Sequence, residues 1–435
     1  PPGLLTSQKK DLIKTPILTA IGRAGGLLIP LLIALFLGAT RETDALLLAF
    51  TILLSLNGMI NPIFESALLP YLYEKKQREI DSGFVNGVLI ASFPLILSIA
   101  ALIYFLMPVI LPVLCGLRPD IAQMTADLFL KMMPLFILGA FISASNCIFF
   151  AQKEFWFPAV SPSIRSLPVI LFLVLGAKSY GVYAVAYGFA AGEICRWGIG
   201  LWLLIKKAHW RPKAPWKGKT DKIKDFVKQA GFHLAALISL NLIPVTDQFF
   251  ASWTGKGQLS ILSYGERLFQ IPYQLFLFGF INVYFSYWSE SHAKEPKAVF
   301  WEKARKDLGS VRKMALFFTF FMIAASFPLV NLVFYSSELT KSQLNDLCLV
   351  FCLYMLGFVP AVLNLMYVRI FFVLKKTVFF FVQSAIRFAF NIVLNYICMK
   401  LWGLKGIAAA TSIVFLLTNR YNLYYMRKLE GPAKT

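Results

Sequence analysis

The chain has little charge and very little histidine. Charged residues make up 15% of its 435 residues, against about 25% in soluble proteins, and there are three histidines. It has no glycine-rich phosphate-binding loop that ends in Lys-Ser or Lys-Thr, and polar stretches between apolar runs reach only about 25 residues, too few for a catalytic domain. These absences argue against a soluble enzyme and against an ATP-driven machine, so we assign no catalytic residue.

The cysteines indicate neither a metal site nor a set of disulfides. The six cysteines lie mostly in apolar runs, where a thiol behaves as a small hydrophobic group. Their spacing matches neither a zinc motif nor a disulfide framework.

Apolar residues, by contrast, are abundant: 58% of the chain is hydrophobic and 15% is aromatic. A helix that crosses a membrane needs roughly 20 mostly apolar residues. Apolar runs between charged or turn-rich breaks therefore predict an all-α polytopic membrane protein with about 12 transmembrane helices. The predicted spans are 15–38, 45–70, 85–113, 125–151, 157–177, 181–205, 231–253, 261–288, 314–335, 347–373, 377–399 and 406–426.

Lysine and arginine outnumber aspartate and glutamate by 43 to 22, and their positions predict an orientation. If the N-terminus is cytoplasmic, 28 basic residues fall in cytoplasmic segments and 7 in segments on the opposite side. Such an asymmetry follows the positive-inside rule. It predicts a membrane protein with both termini in the cytoplasm, whose basic loops contact anionic membrane lipids rather than nucleic acid.

Eight basic residues remain within the spans or at their ends. A charge at mid-bilayer costs about 2.5–3.5 kcal/mol, so such residues usually face a wet cavity or a partner. Spacings of three and four residues predict the ion pairs Glu193–Arg196 and Asp127–Lys131 on single helices. Positive charge is still in excess, which predicts an internal cavity that binds an anion. The eight residues are Arg23, Lys131, Arg165, Arg196, Arg267, Arg369, Arg387 and Arg420.

A long basic segment divides the spans into two sets of six. Residues 206–228 are rich in lysine, and two prolines prevent a continuous helix there. The sequence therefore predicts an N-terminal six-helix bundle over 1–210, a basic cytoplasmic linker over 211–230 and a C-terminal six-helix bundle over 231–435. Paired halves are common in transporters, which bind their substrate near the midplane between them.

Three stretches of sequence, in chain order, carry a family resemblance. They run from Arg23-Ala24-Gly25-Gly26 to Asp44-Ala45, from Thr246-Asp247-Gln248 to Gln270-Ile271-Pro272, and from Asn391-Ile392-Val393-Leu394-Asn395 to Gly406-Ile407-Ala408-Ala409-Ala410-Thr411-Ser412. Together they resemble the MurJ family of bacterial lipid II flippases in the MOP exporter superfamily.

The resemblance implies a MOP/MATE-like fold and a flippase that moves a polyprenyl-pyrophosphate-linked saccharide by alternating access. The cargo would be lipid II or a related peptidoglycan precursor, and cell-wall synthesis proteins would be partners. Arginines of the family line a cationic cavity, and arginine suits phosphate because its planar guanidinium donates two parallel hydrogen bonds. The positions that match substrate-binding positions are Arg23, Asp44, Asn57, Ser260, Arg267 and Gln270.

Two departures from the family pattern reduce the expected cationic clamp. A second arginine of the first helix is replaced around Ile29-Pro30, and the arginine of the second helix falls near Asn57. Arg165, Arg369 or Arg387 could supply replacement charge, but the sequence does not place them.

The resemblance also implies a sodium site, with Na⁺ as the coupling ion. The matching positions are Asp247, Asn391, Asn395 and Thr411, with the carbonyl of Ile407. Asn391 and Asn395 are four residues apart, so they share one helical face, and hard cations prefer oxygen ligands of this kind. The alternative is that the two asparagines form hydrogen bonds between helices.

Three other functions stay open on the sequence. An O-antigen or capsule lipid-linked oligosaccharide flippase of the same superfamily would fit the missing arginines. A drug or cation exporter would need an electronegative cavity, against which the internal positive charge argues. A scaffold without transport activity would use the basic loops and not the internal arginines.

Overall fold

The computed structural model is helical throughout the residues that it describes. Those residues are 22, 25–26, 28–74, 82–115, 118–152, 154, 156–207, 238, 241–277, 281, 284–285, 287–288, 291–292, 295–334, 337–374 and 376–430. The chain divides into two compact units, Pro1–Val245 and Thr246–Thr435. The predicted domain limits at residues 210 and 230 lie outside the described residues, so they stay predictions.

Seven helices of the first unit have defined bounds. They are α1 (Leu28–Leu37), α2 (Arg41–Glu74), α3 (Ser82–Cys115), α4 (Pro119–Lys131), α5 (Pro134–Ala151), α6 (Trp156–Tyr180) and α7 (Val182–Lys207). Helix α2 packs on α4 and α5, α5 packs on α7, and α6 and α7 form the most extensive pair. The stacked rings of Phe50 and Phe189, whose centroids are 4.5 Å apart, join α2 to α7.

Residues 241–252 form α8, and the second unit continues from it. Its other helices are α9 (Gln258–Phe276), α10 (Lys297–Ala324), α11 (Ser326–Phe334), α12 (Lys341–Leu356), α13 (Phe358–Val373), α14 (Thr377–Trp402) and α15 (Leu404–Glu430). Helix α15 packs on α12, α13 and α14, and α12 also packs on α9.

Length and composition identify membrane spans among the described helices. Six are long and apolar enough to cross a membrane, and the number rises to eight if each of two bent helix pairs is one span. Helices α9 and α15 are outside this set although they match predicted spans. Both carry buried polar side chains, such as Ser260 and Asn422, which face the protein interior and lower the mean hydropathy. The all-α polytopic fold is confirmed.

Three predicted spans are interrupted in the structure, and two of these interruptions are bends of more than 40°. The 347–373 span bends by 42° between α12 and α13 at Gly357. No side chain fits there, because a Cβ on Gly357 would lie 2.8 Å from the Cα of Ser412 on α15. The 125–151 span contains a turn at Met132 and Met133, before Pro134, the first residue of α5, since proline cannot donate the backbone hydrogen bond that would continue α4. Residues 119–150 still form one apolar span.

The structure differs most from the sequence prediction at the predicted span 314–335. Helix α10 begins at Lys297, so part of the predicted cytoplasmic loop is helical, and α10 meets α11 at a bend of 62°. Its buried residues recur at helical spacing, at Phe300, Ala304, Leu308 and Val311. A search for apolar runs misses such an amphipathic helix because its other face is charged.

Candidate functional site

Asp247 on α8 is the shared acceptor of a buried polar cluster in the second unit. Asn391 Nδ2 and Asn395 Nδ2 donate to its Oδ1 at 2.8 Å and 2.6 Å. The Thr411 hydroxyl lies 3.4 Å from Asp247 Oδ2 and 3.2 Å from the carbonyl oxygen of Ile407. Asp247 is 7% exposed and both asparagines are fully buried. The structure thus brings together the five positions that the resemblance implies for a cation.

A tight hairpin between α14 and α15 positions this cluster. Gly403 ends α14 with a φ of 58°, a conformation that costs glycine little. Gly406 then lies so close to the carbonyl of Cys398 that any Cβ would overlap it. Because the two helices can approach at this point, Asn395 of α14 and Thr411 of α15 reach the same carboxylate.

The cluster leaves oxygen atoms unused. The side-chain oxygens of Asn391 and Asn395 are buried and accept no hydrogen bond from any described residue. A buried acceptor without a partner costs about 1–3 kcal/mol, so such atoms are usually satisfied by a ligand or by water. One carboxylate with several neutral oxygens is a donor set that fits a hard monovalent cation. No group of three or more His, Cys, Asp or Glu side chains forms among the described residues.

Arg387 lies one helical turn before Asn391 on α14, on the same face. Its guanidinium carbon is 4.8 Å from the centre of the Phe415 ring, an arrangement in which the ring face attracts the cation. Its Nε is buried without a hydrogen-bond partner among the described residues. A fixed positive charge therefore lies next to the Asp247 cluster.

The substrate positions implied on α9 form a short hydrogen-bonded chain. Arg267 Nη1 donates to Gln270 Oε1 at 2.9 Å, and Gln270 Nε2 donates to Glu266 Oε1 at 2.8 Å. Arg267 and Gln270 are partly buried, while Ser260, near the start of α9, is fully buried. Gln270 thus orients Arg267 and connects it to an acidic group. Substrate contact by these residues stays a prediction.

The implied positions of the first unit are less clearly grouped. Arg23 lies outside the described residues. Asp44 is buried in the first turn of α2. Asn57, where the family has an arginine, donates to the carbonyl oxygens of Leu53 and Leu135 at 3.1 Å and 3.2 Å, so its amide joins α2 to α5. Its role in substrate binding stays a prediction.

Both predicted ion pairs are present in the first unit. Lys131 Nζ lies 2.6 Å from Asp127 Oδ1, and Arg196 Nη1 lies 3.2 Å from Glu193 Oε1. The structure also adds a third member to the second pair, because Arg165 Nη1 lies 3.8 Å from Glu193 Oε2. Two arginines therefore share one buried acid.

The approach of α6 to α7 depends on a signal that the sequence analysis missed. Gly188 and Gly192 are four residues apart on α7, the spacing at which small residues let membrane helices pack closely. A Cβ on Gly188 would lie 2.8 Å from the Cα of Val169, and one on Gly192 would overlap the carbonyl oxygen of Arg165. This spacing could have predicted that another helix packs closely against α7 beside Glu193, and the structure shows that this helix is α6, with Arg165.

Comparison with known proteins gives consistent matches. The family model described as "Lipid II flippase MurJ" matches residues 33–432. A probable lipid II flippase MurJ of Aquifex aeolicus is 27% identical over 256 residues, which cover 58% of this chain and 50% of that protein. The chain thus spans about half the length of this relative in the match.

Two solved structures share the fold. A lipid II flippase MurJ in an inward closed conformation has a TM-score of 0.82 and 23% identity, over 95% of this chain and 87% of that chain. An inward-facing multidrug resistance MATE family transporter of the MOP superfamily has a TM-score of 0.79 and 13% identity, over 93% of this chain and 94% of that one. At these identities the likeness concerns the fold.

Proposed function

Because this chain belongs to the MurJ family of lipid II flippases, we propose that it moves lipid II from the inner to the outer leaflet of the bacterial inner membrane. The family match over residues 33–432 carries this proposal. It also favours a peptidoglycan precursor over an O-antigen or capsule unit as the cargo.

The chemistry of the cargo fits the charges of the chain. The headgroup carries a pyrophosphate, which arginine binds through parallel charged hydrogen bonds. Arg267, oriented by Gln270, is the proposed phosphate ligand of the second unit, and Arg23 is the proposed ligand from the first helix. The polyprenyl tail would stay in the lipid, beside the exposed apolar faces of the helices.

The Asp247 cluster is the proposed coupling site, with sodium as the ion. Asp247, Asn391, Asn395, Thr411 and the Ile407 carbonyl would hold it, and the two unused amide oxygens support this assignment. Occupancy of the site would link cargo movement to the sodium gradient. Asp247 Oδ1 now accepts the hydrogen bonds of both asparagines. A cation bound in the cluster would replace these hydrogen bonds as the partner of the carboxylate.

Orientation and partners belong to the same proposal. Both termini would be cytoplasmic, as the distribution of lysine and arginine indicates. The basic cytoplasmic segments would contact anionic lipids, and cell-wall synthesis proteins would be the protein partners, as for a supplier of peptidoglycan precursor.

The test is rescue of bacterial cells that have been depleted of their own lipid II flippase. We expect the wild-type chain to restore growth and Arg267→Gln to abolish rescue. Arg305→Gln, which removes an exposed arginine of the same unit, is the matched control and should still rescue. Normal membrane insertion without any rescue would contradict lipid II as the cargo, and rescue of an O-antigen export mutant instead would support the alternative.

A further inference from the structure

The buried ionic cluster between α6 and α7 holds more positive than negative charge. Arg165 and Arg196 both contact Glu193, at 3.8 Å and 3.2 Å, and one carboxylate can neutralise only one guanidinium. Among the described residues, the charged neighbours of Arg196 are Glu193 and Arg165. One positive charge therefore lacks a counter-charge within the cluster, in a segment where uncompensated charge is costly.

The cluster also leaves hydrogen-bonding capacity unused. Arg165 Nε and Glu193 Oε2 are buried and have no hydrogen-bond partner among the described residues. Arg196 Nε donates to the Ser161 hydroxyl at 3.1 Å, which fixes its guanidinium against α6. The acid is sealed at 1% exposure, whereas the arginine side chains keep 18% and 12%. A ligand could reach the cations and not the anion.

Both arginines lie away from the most exposed apolar neighbours on their own helices. Leu167 on α6, two positions after Arg165, and Ile194 on α7, two positions before Arg196, are both strongly exposed. Two residues correspond to about 200° around a helix. The arginines therefore face the interior of the first unit, where a polar headgroup would travel, and not the lipid.

Described residues that precede α1 contact α6 next to Arg165. The backbone of Gly22 lies against Ala159, and a Cβ on Gly25 would lie 2.7 Å from the Cβ of Ser166. The Ser163 hydroxyl donates to the Gly22 carbonyl at 3.0 Å. Arg165 thus lies on a stretch of α6 that packs against Gly22 and Gly25, which precede α1.

We propose that Arg165 and Arg196, held by Glu193, bind a phosphate group of the lipid-linked pyrophosphate in the first unit. This inference rests on the proposed function and assigns that function a second phosphate ligand set. Two guanidinium groups present parallel N–H donors that match phosphate oxygens, and a bound phosphate supplies the missing negative charge.

The experiment measures binding of a polyprenyl pyrophosphate to the purified full chain in nanodiscs by native mass spectrometry. Polyprenol without phosphate and inorganic pyrophosphate are the comparison ligands. We expect Arg165→Gln and Arg196→Gln each to weaken binding by about 10-fold, because each removes a charged hydrogen bond to the ligand. Lys131→Gln, which breaks the partly exposed pair with Asp127 in the same unit, is the control and should bind as the wild type does.

Glu193→Gln separates a binding site from a structural ion pair. If the cluster only stabilises the fold, loss of the acid should weaken binding as much as loss of either arginine. If it binds phosphate, Glu193→Gln frees both arginines and should bind the pyrophosphate at least as tightly. Its Tm should fall without ligand and recover when polyprenyl pyrophosphate is added, since a ligand stabilises the folded state that binds it.

The other possible results of the binding experiment would overturn the phosphate site, the lipid-linked ligand or both proposals. Wild-type binding with unchanged Arg165→Gln and Arg196→Gln variants would overturn this site and leave the proposed function standing. Equal weakening in Glu193→Gln would also overturn it. Binding of inorganic pyrophosphate alone would overturn a lipid-linked ligand, and no binding of polyprenyl pyrophosphate by the wild type would overturn both proposals.

Discussion

At the scale of single residues, Asp247 is a buried carboxylate whose donors are neutral side chains, two amides and a hydroxyl. Two amides donate to a single oxygen of Asp247, at 2.8 Å and 2.6 Å, while their own oxygens accept no hydrogen bond from the described residues. The observed arrangement places carboxylate, amide and hydroxyl oxygens in one buried cluster, and hard cations bind to oxygen ligands of these kinds.

We predict that Asp247→Asn abolishes stabilisation by sodium. The substitution removes the only carboxylate of the cluster and keeps its size. Sodium at 100-fold its dissociation constant should add about 2.7 kcal/mol to the stability of the wild type. The measurement is the rise in Tm in sodium chloride over potassium chloride at equal concentration. Asp127→Asn should keep the rise, and a full rise in Asp247→Asn would contradict the assignment.

Glu295, before α10, gives a prediction outside the membrane spans. Lys303 Nζ lies 2.6 Å and 2.7 Å from its carboxylate oxygens, and the Ser291 hydroxyl also donates to it. The hydrogen bonds from Lys303 first, and then from Ser291, lower the pKa of Glu295 from its ordinary value of 4.5. Since the pKa is lower in the folded state, the resulting stability is present above the unfolded pKa and is lost as pH falls through the folded pKa.

Glu295→Gln should therefore be less stable than the wild type at neutral pH and equal to it in acid. The measurement is Tm of both proteins between about pH 3 and pH 7. Glu302→Gln, at an exposed position of α10, should keep the pH dependence of the wild type. A constant difference between Glu295→Gln and the wild type at every pH would show that the contact with Lys303 does not act through ionisation.

At the scale of elements, close approach of helices explains which charges meet. The hairpin of α6 and α7 depends on Gly188 and Gly192, and the hairpin of α14 and α15 depends on Gly406. In a bilayer the lipid is as apolar as the side chains, so packing and hydrogen bonds hold helices together. The Glu193 cluster lies on the first of these helix pairs, and the second pair supplies Asn391, Asn395 and Thr411 to the Asp247 cluster.

We predict that Gly192→Ala destabilises the protein by about 1–3 kcal/mol, the usual cost of overpacking. The new methyl group would overlap the backbone carbonyl of Arg165, which cannot rotate away. Gly198→Ala, on the same helix with open space around it, is the matched control and should be neutral or stabilising because alanine is the better helix former. Thermal unfolding in detergent measures both, and equal effects would contradict the close approach.

At the scale of the whole molecule, the orientation predicted from lysine and arginine is consistent with two ion pairs of the second unit. Lys405 and Asp346, at 3.1 Å, pair at the start of α15. Arg305 and Glu430, at 3.3 Å, pair at its end. In each pair the positive-inside assignment places both members on one side of the membrane.

The orientation itself predicts a labelling pattern. Lys341 and Lys428 are both exposed, and the assignment places them on opposite sides. In a cysteine-free background, Lys341→Cys should react with a membrane-impermeant thiol reagent in intact spheroplasts. Lys428→Cys should react only after permeabilisation. The reverse pattern would invert the topology.

The sequence alone was sufficient for the fold class and for ion pairs between neighbours along one helix. Apolar runs predicted the all-α membrane fold, and spacings of three and four residues predicted the pairs Glu193–Arg196 and Asp127–Lys131, both of which are present. Local geometry fixes such pairs, because residues three or four apart lie on one helical face. The ordered motifs around Asp247 and Arg267 gave the family.

Only the tertiary structure decided which faces meet. It placed Arg165 beside Glu193, joined Asn57 to the carbonyl of Leu135, and broke a predicted span at Gly357. Periodicity shows that a residue lies on a particular face of its helix and does not identify the opposite helix. That choice depends on the close contacts of small residues between helices distant in the sequence, and these contacts decide where buried charge finds a partner and where it is left for a ligand.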